Sequence, residues 1–371
     1  MSTIPFRYDI VGSFLRPAVL TQARDDFREG KIDLAKLKEF EHEEIKKLVA
    51  KEAEVGLKAV TDGEFPRAWW HLDFLVGLKG MQKIETPKGY GFHSSTTRME
   101  HFAVVGRVQY NPDHPFFANY EFLKSVTPAG VLAKVSIPTP AMIFNYRSDE
   151  ITPDFYKGNK EQFLNDLIDA YKQSMNRFYE LGCRYFQIDD TRLTGFIWSI
   201  KNAKNEQEKQ VQLSMANDDL FILNKIFEGK PNDLFITIHS CRGNFKSDYI
   251  FDGSYSLLIG IISKLNVDGL FLEYDNERSG GFEPLAQLYA ENKNRKIVIG
   301  LITSKFGKLE TEEEIIARIH EAEKFIPLNS LCLSTQCGFA STEEGNKITE
   351  DEQLEKMKLV VKIAKQVWSD A

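Results

Sequence analysis

The chain has 371 residues, is 42% hydrophobic and 27% charged, and carries a net charge of −7, an ordinary globular balance. Its acidity excludes a broad nucleic-acid footprint, which needs a basic surface, and no apolar run approaches the ~20 residues that cross a membrane. The four cysteines (Cys183, Cys241, Cys332, Cys337) form no CxxC pair, and "MSTIPFRYDIVGSF" lacks a basic region followed by a long apolar core, so a reducing, cytoplasmic setting is expected.

In chain order, the strand-like apolar runs are Tyr8–Val11, Lys58–Thr61, Leu132–Ile137, Cys183–Ile188, Leu234–Ile238, Gly269–Leu272, Ile297–Leu301 and Ser330–Ser334. Helix-period segments separate most of them. Leu34 to Val55 places Leu37, Phe40, Leu48 and Val55 on one face, with Glu41 and Glu44 sharing it and Gly56 as the stop. Glu161–Leu181, Asn205–Phe227, Ser254–Leu265, Phe282–Glu291, Thr311–Phe325 and Glu350–Trp368 continue the pattern, and Thr311 with Glu314 reads as a capping box.

This alternation predicts an α/β chain folded as a (β/α)8 TIM barrel, one catalytic domain over residues 1–371. A doubly wound sheet is the alternative, but "VGSFLRP" after the first strand has one glycine only. From Gly63 to Val131 the chain runs about seventy residues before the next barrel strand, a long excursion of the functional kind. "HFAVVGRVQY" reads as β-structure and "TPKGYGFHSS" as loop, so a β-rich insertion is expected at about 64–131, between strands 2 and 3 and over the barrel mouth.

Chemistry in such barrels gathers at the C-terminal strand ends. Those ends present Gly12-Ser13, Asp62-Gly63-Glu64, Pro138-Thr139, Asp189-Asp190, His239-Ser240-Cys241, Glu273-Tyr274-Asp275, Thr303-Ser304 and Thr335-Gln336-Cys337. His239 and Cys241 are an i, i+2 pair that faces one side of an extended segment. With Glu273 and Cys337 they form an N/S/O set that suits Zn2+. Cys183 and Cys332 read as core. Trp69, Trp70 and Phe65 read as filling beneath the insertion, and His71, His93, His101 and His114 as surface or hairpin residues able to supply an acid.

Taken in order from Ile10 to Gly338, "GSF", "DGE", "QIDD", "HSC", "LEYD" and "TQCGF" resemble the catalytic barrel of cobalamin-independent methionine synthase, and more narrowly the short single-barrel proteins of that family. The resemblance implies a methyltransferase of the 5-methyltetrahydropteroyltriglutamate–homocysteine S-methyltransferase type, with zinc held by His239, Cys241, Glu273 and Cys337. It implies that Ser13 holds the carboxylate of homocysteine or a similar thiol, and that Glu64 and Asp189 grip its ammonium group. Asp189 and Glu273 are the expected catalytic residues, with Glu273 loosening as substrate sulfur arrives. A methylated folate or another methyl donor is the expected second partner. Nucleic acid and membrane are not expected partners, and oligomeric state is left open.

Three departures bear on the donor. Long family members carry a second, N-terminal barrel that helps bind folate, and only the catalytic barrel is matched here. A family histidine implicated in proton handling falls at Thr303 in "GLITSKFG". The family's Asn-Trp near the folate reads Asn145-Tyr146, which makes Tyr146 the expected aromatic platform for substrate. A lyase or decarboxylase barrel, or a zinc-dependent binder without catalysis, is the alternative function.

Overall fold

The computed structural model describes residues 4–144, 156 and 159–371. Its strands are, in order, β1 (Tyr8–Asp9), β2 (Ala59–Val60), β3 (Lys79–Glu85), β4 (Glu100–Gln109), β5 (Leu132–Pro138), β6 (Tyr185–Asp190), β7 (Phe235–Ser240), β8 (Gly269–Glu273), β9 (Lys296–Ile302) and β10 (Leu331–Thr335). Eight of them form one sheet in the order β1-β10-β9-β8-β7-β6-β5-β2, and its ladders are parallel. Beyond the two-residue strands β1 and β2, the seam between the sheet's ends is bridged. Phe14 N donates to Gly63 O at 3.0 Å, and the Thr61 hydroxyl donates to Gly12 O at 2.7 Å. Gly12 has φ +117°, and a Cβ there would lie 2.7 Å from a Thr61 methyl, so this close approach needs glycine. The result is a nearly closed (β/α)8 barrel, as the alternation predicts.

The helices are α1 (Ala18–Arg28), α2 (Leu34–Val55), α3 (Leu72–Leu75), α4 (Pro115–Val126), α5 (Ala141–Phe144), α6 (Lys160–Glu180), α7 (Arg192–Lys201), α8 (Glu206–Phe227), α9 (Ile259–Ile262), α10 (Pro284–Glu291), α11 (Glu312–Glu323) and α12 (Glu350–Val367). Capping sets their starts. Asp33 accepts from Lys36 N before α2, and Thr311–Glu314 and Thr349–Glu352 form full capping boxes. The expected helix over Ser254–Leu265 breaks into a 3-10 turn at Tyr255–Leu257 and the short α9, because Leu258 leaves helical space at φ −128°. Among the described residues, no helix is long and apolar enough to cross a membrane.

Barrel strands are buried on both faces because helices cover them outside. The acids on the core face of α2 are paired rather than stranded: Lys38 donates to Glu41 at 2.6 Å, and Glu52 accepts from Thr61 N at 3.2 Å. Glu52 thereby fixes the end of β2, where the cavity begins.

Between β2 and β5 the insertion holds the antiparallel β3–β4 hairpin together with α3 and α4. It straps across the mouth. Trp70 N donates to Ser341 O at 2.9 Å, and Glu343 N to Ala68 O at 2.9 Å. Arg98 donates to Glu343 at 2.6 Å. On the other side Ser94 N and Oγ donate to Asp248 at 2.7 and 2.8 Å, and Phe92 lies against Phe245, centroids 5.2 Å apart. The two gripped loops follow β7 and β10, the strands that lead into Cys241 and Cys337.

Candidate active site

Strand register assembles the polar centre. Pro138, Asp189 and His239 lie side by side across β5, β6 and β7. β8 ends at Glu273 and β10 runs into Gln336-Cys337. One ligand-type atom from each of His239, Cys241, Glu273 and Cys337 lies within 4.8 Å of the others. The two thiols are free and their sulfurs are 3.7 Å apart. His239 Nδ1 stands 3.4 Å from Asp189 and Nε2 stands 3.5 Å from Glu273, yet buried Nε2 has no hydrogen-bond partner. An orphaned imidazole nitrogen beside two thiols and a carboxylate fits a zinc ion by donor chemistry. Asp189, which also accepts from Gln187 Nε2 at 2.7 Å, stands where a carboxylate orients a metal-binding histidine.

The Glu273 carboxylate is fully buried and receives four hydrogen bonds. Arg242 N (3.1 Å) and Asn244 Nδ2 (2.7 Å) reach one oxygen. Arg278 Nη2 (2.9 Å) and Gln336 Nε2 (2.9 Å) reach the other. Asp275 holds this outer shell: it accepts from Arg278 at 3.1 Å, from the Thr303 hydroxyl at 3.0 Å and from Lys305. Burial raises the Glu273 carboxyl, but the neighbouring His239 ring and the charge of Arg278 bring it down to about 2. Burial lowers His239, and the neighbouring Asp189 and Glu273 carboxylates outweigh it and raise the ring to about 10. Metal binding takes the neutral ring, so it would release a proton held there. The contact between the two sulfurs lowers the Cys241 thiol and raises that of Cys337.

Above this centre lies a cavity of about 320 Å³. Ser13, Glu64, Asp189, His239, Cys241 and Cys337 line it, as do Trp69, Trp70, His71, Tyr90 and Phe92 of the insertion. Glu64 has φ +60°, an uncommon conformation for a residue with a side chain, of the kind retained at functional sites. Arg16 holds it there through Glu64 O at 2.8 Å, and Arg67 pairs with its carboxylate at 3.2 Å. Burial raises Glu64 to about 7 against the pull of Arg67 and Arg16, and its Oε2 has no hydrogen-bond partner. Ser13 sits against Gly338, where an added Cβ would fall 1.9 Å from the serine oxygen, so only glycine after Cys337 admits that hydroxyl.

Residues 8–366 match the family described as "Cobalamin-independent synthase, Catalytic domain". The chain belongs to the cobalamin-independent methionine synthase family. It is 42% identical to the Bacillus subtilis (strain 168) uncharacterized protein YxjG, over 98% of this chain and 95% of that protein. It is 22% identical to the methionine synthase of Saccharolobus solfataricus, over 92% of this chain and 94% of that protein. A putative vitamin-B12 independent methionine synthase from Listeria monocytogenes superposes with a TM-score of 0.78 at 37% identity, covering 99% of both chains. A B12-independent methionine synthase from Shewanella sp. W3-18-1, solved in complex with selenomethionine, shares the fold with a TM-score of 0.70 at 18% identity, covering 96% of both. Family and fold mark the chain as a methionine-synthase-like methyltransferase.

In this methionine-synthase-like barrel, Ser13, Glu64, Asp189, His239, Cys241 and Cys337 converge on one cavity, and Glu273 lies beside His239. Tyr146 lies outside the described residues. Sequence reasoning placed Asp275 and Gln336 at the rim without a role and missed Asn244, Arg278 and Lys305, although Asn244 lies three residues past Cys241 in "HSCRGN". Thr303 is tied to Asp275. Two histidine readings are corrected. Trp69 and Trp70 pack with the core as filling and also line the cavity, but His71 is buried in that wall and His114 is a buried helix cap, so neither is a surface residue.

Proposed function

We propose that the chain is a zinc-dependent methyltransferase that places a methyl group on the sulfur of homocysteine, or of a closely related small thiol, and forms methionine. The whole chain acts as one catalytic domain in this reading, and the donor is a methylated folate or another methylated small molecule. The convergence of His239, Cys241, Glu273 and Cys337 within 4.8 Å carries the proposal. The Shewanella relative's selenomethionine complex supports a ligand of the methionine class.

Those four residues would hold zinc, which supplies a Lewis-acid centre that keeps an acceptor thiol ionised near neutral pH. The remaining work belongs to the chain. Ser13 offers a hydroxyl to the amino acid's carboxylate, while Glu64, with one oxygen unpaired, and Asp189 face its ammonium group. Asp189 also orients the His239 ring. Glu273 already has four protein hydrogen-bond donors, so it is the candidate ligand with a resting place of its own inside the protein. The aromatic wall keeps bulk water from the reacting sulfur.

The test is zinc content together with methionine formation from homocysteine across a panel of methylated donors. About one zinc per chain is expected, with turnover lost on chelation and restored by zinc. Turnover indifferent to chelation would sink the zinc reading, and no methionine with any donor would sink the acceptor assignment.

A further inference from the structure

The loop after β7 turns back on the cysteine that begins it. Gly243 has φ +70°, in the left-handed region that glycine enters without penalty, and Asn244 is thereby aimed at the sulfur three residues earlier. Its amide nitrogen lies 2.7 Å from Glu273 Oε1 and 3.5 Å from Cys241 Sγ. A carboxylate and an ionised thiol are acceptors only, so the NH2 end of the amide faces them, with one hydrogen for each. The backbone of Asn244 is fixed as well. The Ser341 hydroxyl donates to Asn244 O at 3.0 Å, and Ser341 O accepts from Trp70 N of the insertion at 2.9 Å.

The contact with sulfur is the distinctive one. Without Asn244, Glu273 keeps three donors, Arg242 N, Arg278 and Gln336. Among the described residues, Asn244 supplies the one side-chain N–H that reaches the Cys241 sulfur. Cys337 is buried, whereas Cys241 is only half-buried, and both line the cavity. In the methyltransferase reading, on which this inference rests, an electrophilic methyl group enters that cavity. Any ionised thiol there competes with the acceptor for it, since the thiolate is the nucleophile. Sharing a thiolate's charge with an N–H makes it a weaker base, and nucleophilicity falls with basicity. The donor therefore acts on the more open of the two protein sulfurs.

We propose that Asn244 is a positioning residue that protects Cys241 from methylation, so that the methyl group goes to the acceptor's sulfur and not to the protein. The side reaction it suppresses forms an S–CH3 bond at Cys241 and breaks the bond between methyl and leaving group, which departs with the bonding pair.

The test needs no turnover. Protein at saturating zinc, without homocysteine, is treated with methyl iodide, and peptide mass spectrometry follows S-methylation at each cysteine, with fully buried Cys183 and Cys332 as the baseline. Asn244→Ala should raise the rate at Cys241 at least about fivefold. Asn244→Leu, which fills nearly the same space without an N–H, should raise it as well. Arg278→Met takes one hydrogen bond from Glu273 and none from the sulfur, and should leave the rate within about twofold. A rise with alanine but not with leucine would assign the shielding to bulk and overturn the proposal, and so would an equal rise in Arg278→Met. A further check needs no variant. In wild-type protein loaded with an NMR-active cadmium isotope, the Asn244 side-chain protons should couple to the metal through the sulfur, and no coupling overturns the proposal. Wild-type protein that takes up no zinc removes the zinc reading and this proposal together. Zinc-loaded protein whose Cys241 is indifferent to Asn244 overturns this proposal alone and leaves the methyltransferase reading standing.

Discussion

The sulfur atoms of Cys241 and Cys337 stand 3.7 Å apart although 96 positions of sequence separate them. Barrel closure, not a local turn, makes that pair. Cys332, on β10, points instead into an apolar cluster with Val11, Phe271 and Val298, and burial pushes its thiol up to about 12. Cys337→Ser should therefore lower zinc affinity by at least about 100-fold, more than outer-shell changes usually cost. Cys332→Ser should leave it within about threefold. Competition with a chelating dye measures both, and equal losses would refute the ligand choice.

Arg278 bridges the site and its support, touching Glu273 at 2.9 Å and Asp275 at 3.1 Å. Arg278→Met removes one charge-assisted hydrogen bond from a buried carboxylate, and zinc affinity should fall by about 10- to 100-fold. Combined with Glu273→Gln, the losses should not add, because one interaction underlies both. Strict additivity in that double-mutant cycle would show that Arg278 acts elsewhere.

Glu64 sets an expected pH dependence. Its pKa in the folded chain, about 7, lies above the ordinary 4.5. The folded chain thus holds a proton that the unfolded chain has released, so this group's contribution to stability is fully present below the unfolded value and is lost as pH rises through about 7. Acceptor binding runs the other way, since only the carboxylate pairs with an ammonium group. Below pH 7, kcat/KM for homocysteine should rise about tenfold per pH unit and then level off. Glu64→Gln should lower kcat/KM and abolish that limb; a limb unchanged in the variant would assign it to another group.

Glu343 closes the strap over the mouth. It accepts from Arg24 at 2.7 Å, from Arg98 at 2.6 Å and from Arg28. Burial raises its carboxyl, but these arginines hold it below the usual range. Glu343→Gln leaves three arginines facing a neutral amide and should cost about 2 kcal/mol of stability. Limited proteolysis of the 86–99 loop should quicken accordingly. Unchanged melting and unchanged cleavage would show that the latch holds nothing.

The barrel and its four candidate ligands were legible because each rests on a short-range rule. Strands such as Lys296–Ile302 are continuous apolar runs, and a period of two turns His239 and Cys241 to the same side. The outer shell was illegible for the opposite reason. Arg278 and Lys305 are charged residues in loops after strands, which read as solvated until Glu273 and Asp275 are seen to bury them. Helix α7 was missed because "RLTGFIWSIK" mixes Gly195, β-branched and aromatic residues of modest helix propensity. The place of Trp69 and His71 in the cavity wall depends on contacts such as Trp69 with Thr342, which no local pattern announces.

The strap also carries a consequence for biosynthesis. Ser94 reaches Asp248 across 154 positions, and Arg98 reaches Glu343 across 245. A nascent chain, emerging N-terminus first, displays the hairpin long before the ribosome has made either loop that it grips. Contacts of such long range are slow to form, because the closure entropy precedes the reward. Cys337 is the last of the four candidate ligands in the chain, so the full set exists only once that residue has been made. Metal capture by all four residues would then follow the synthesis of Cys337 and could not nucleate the strands before it.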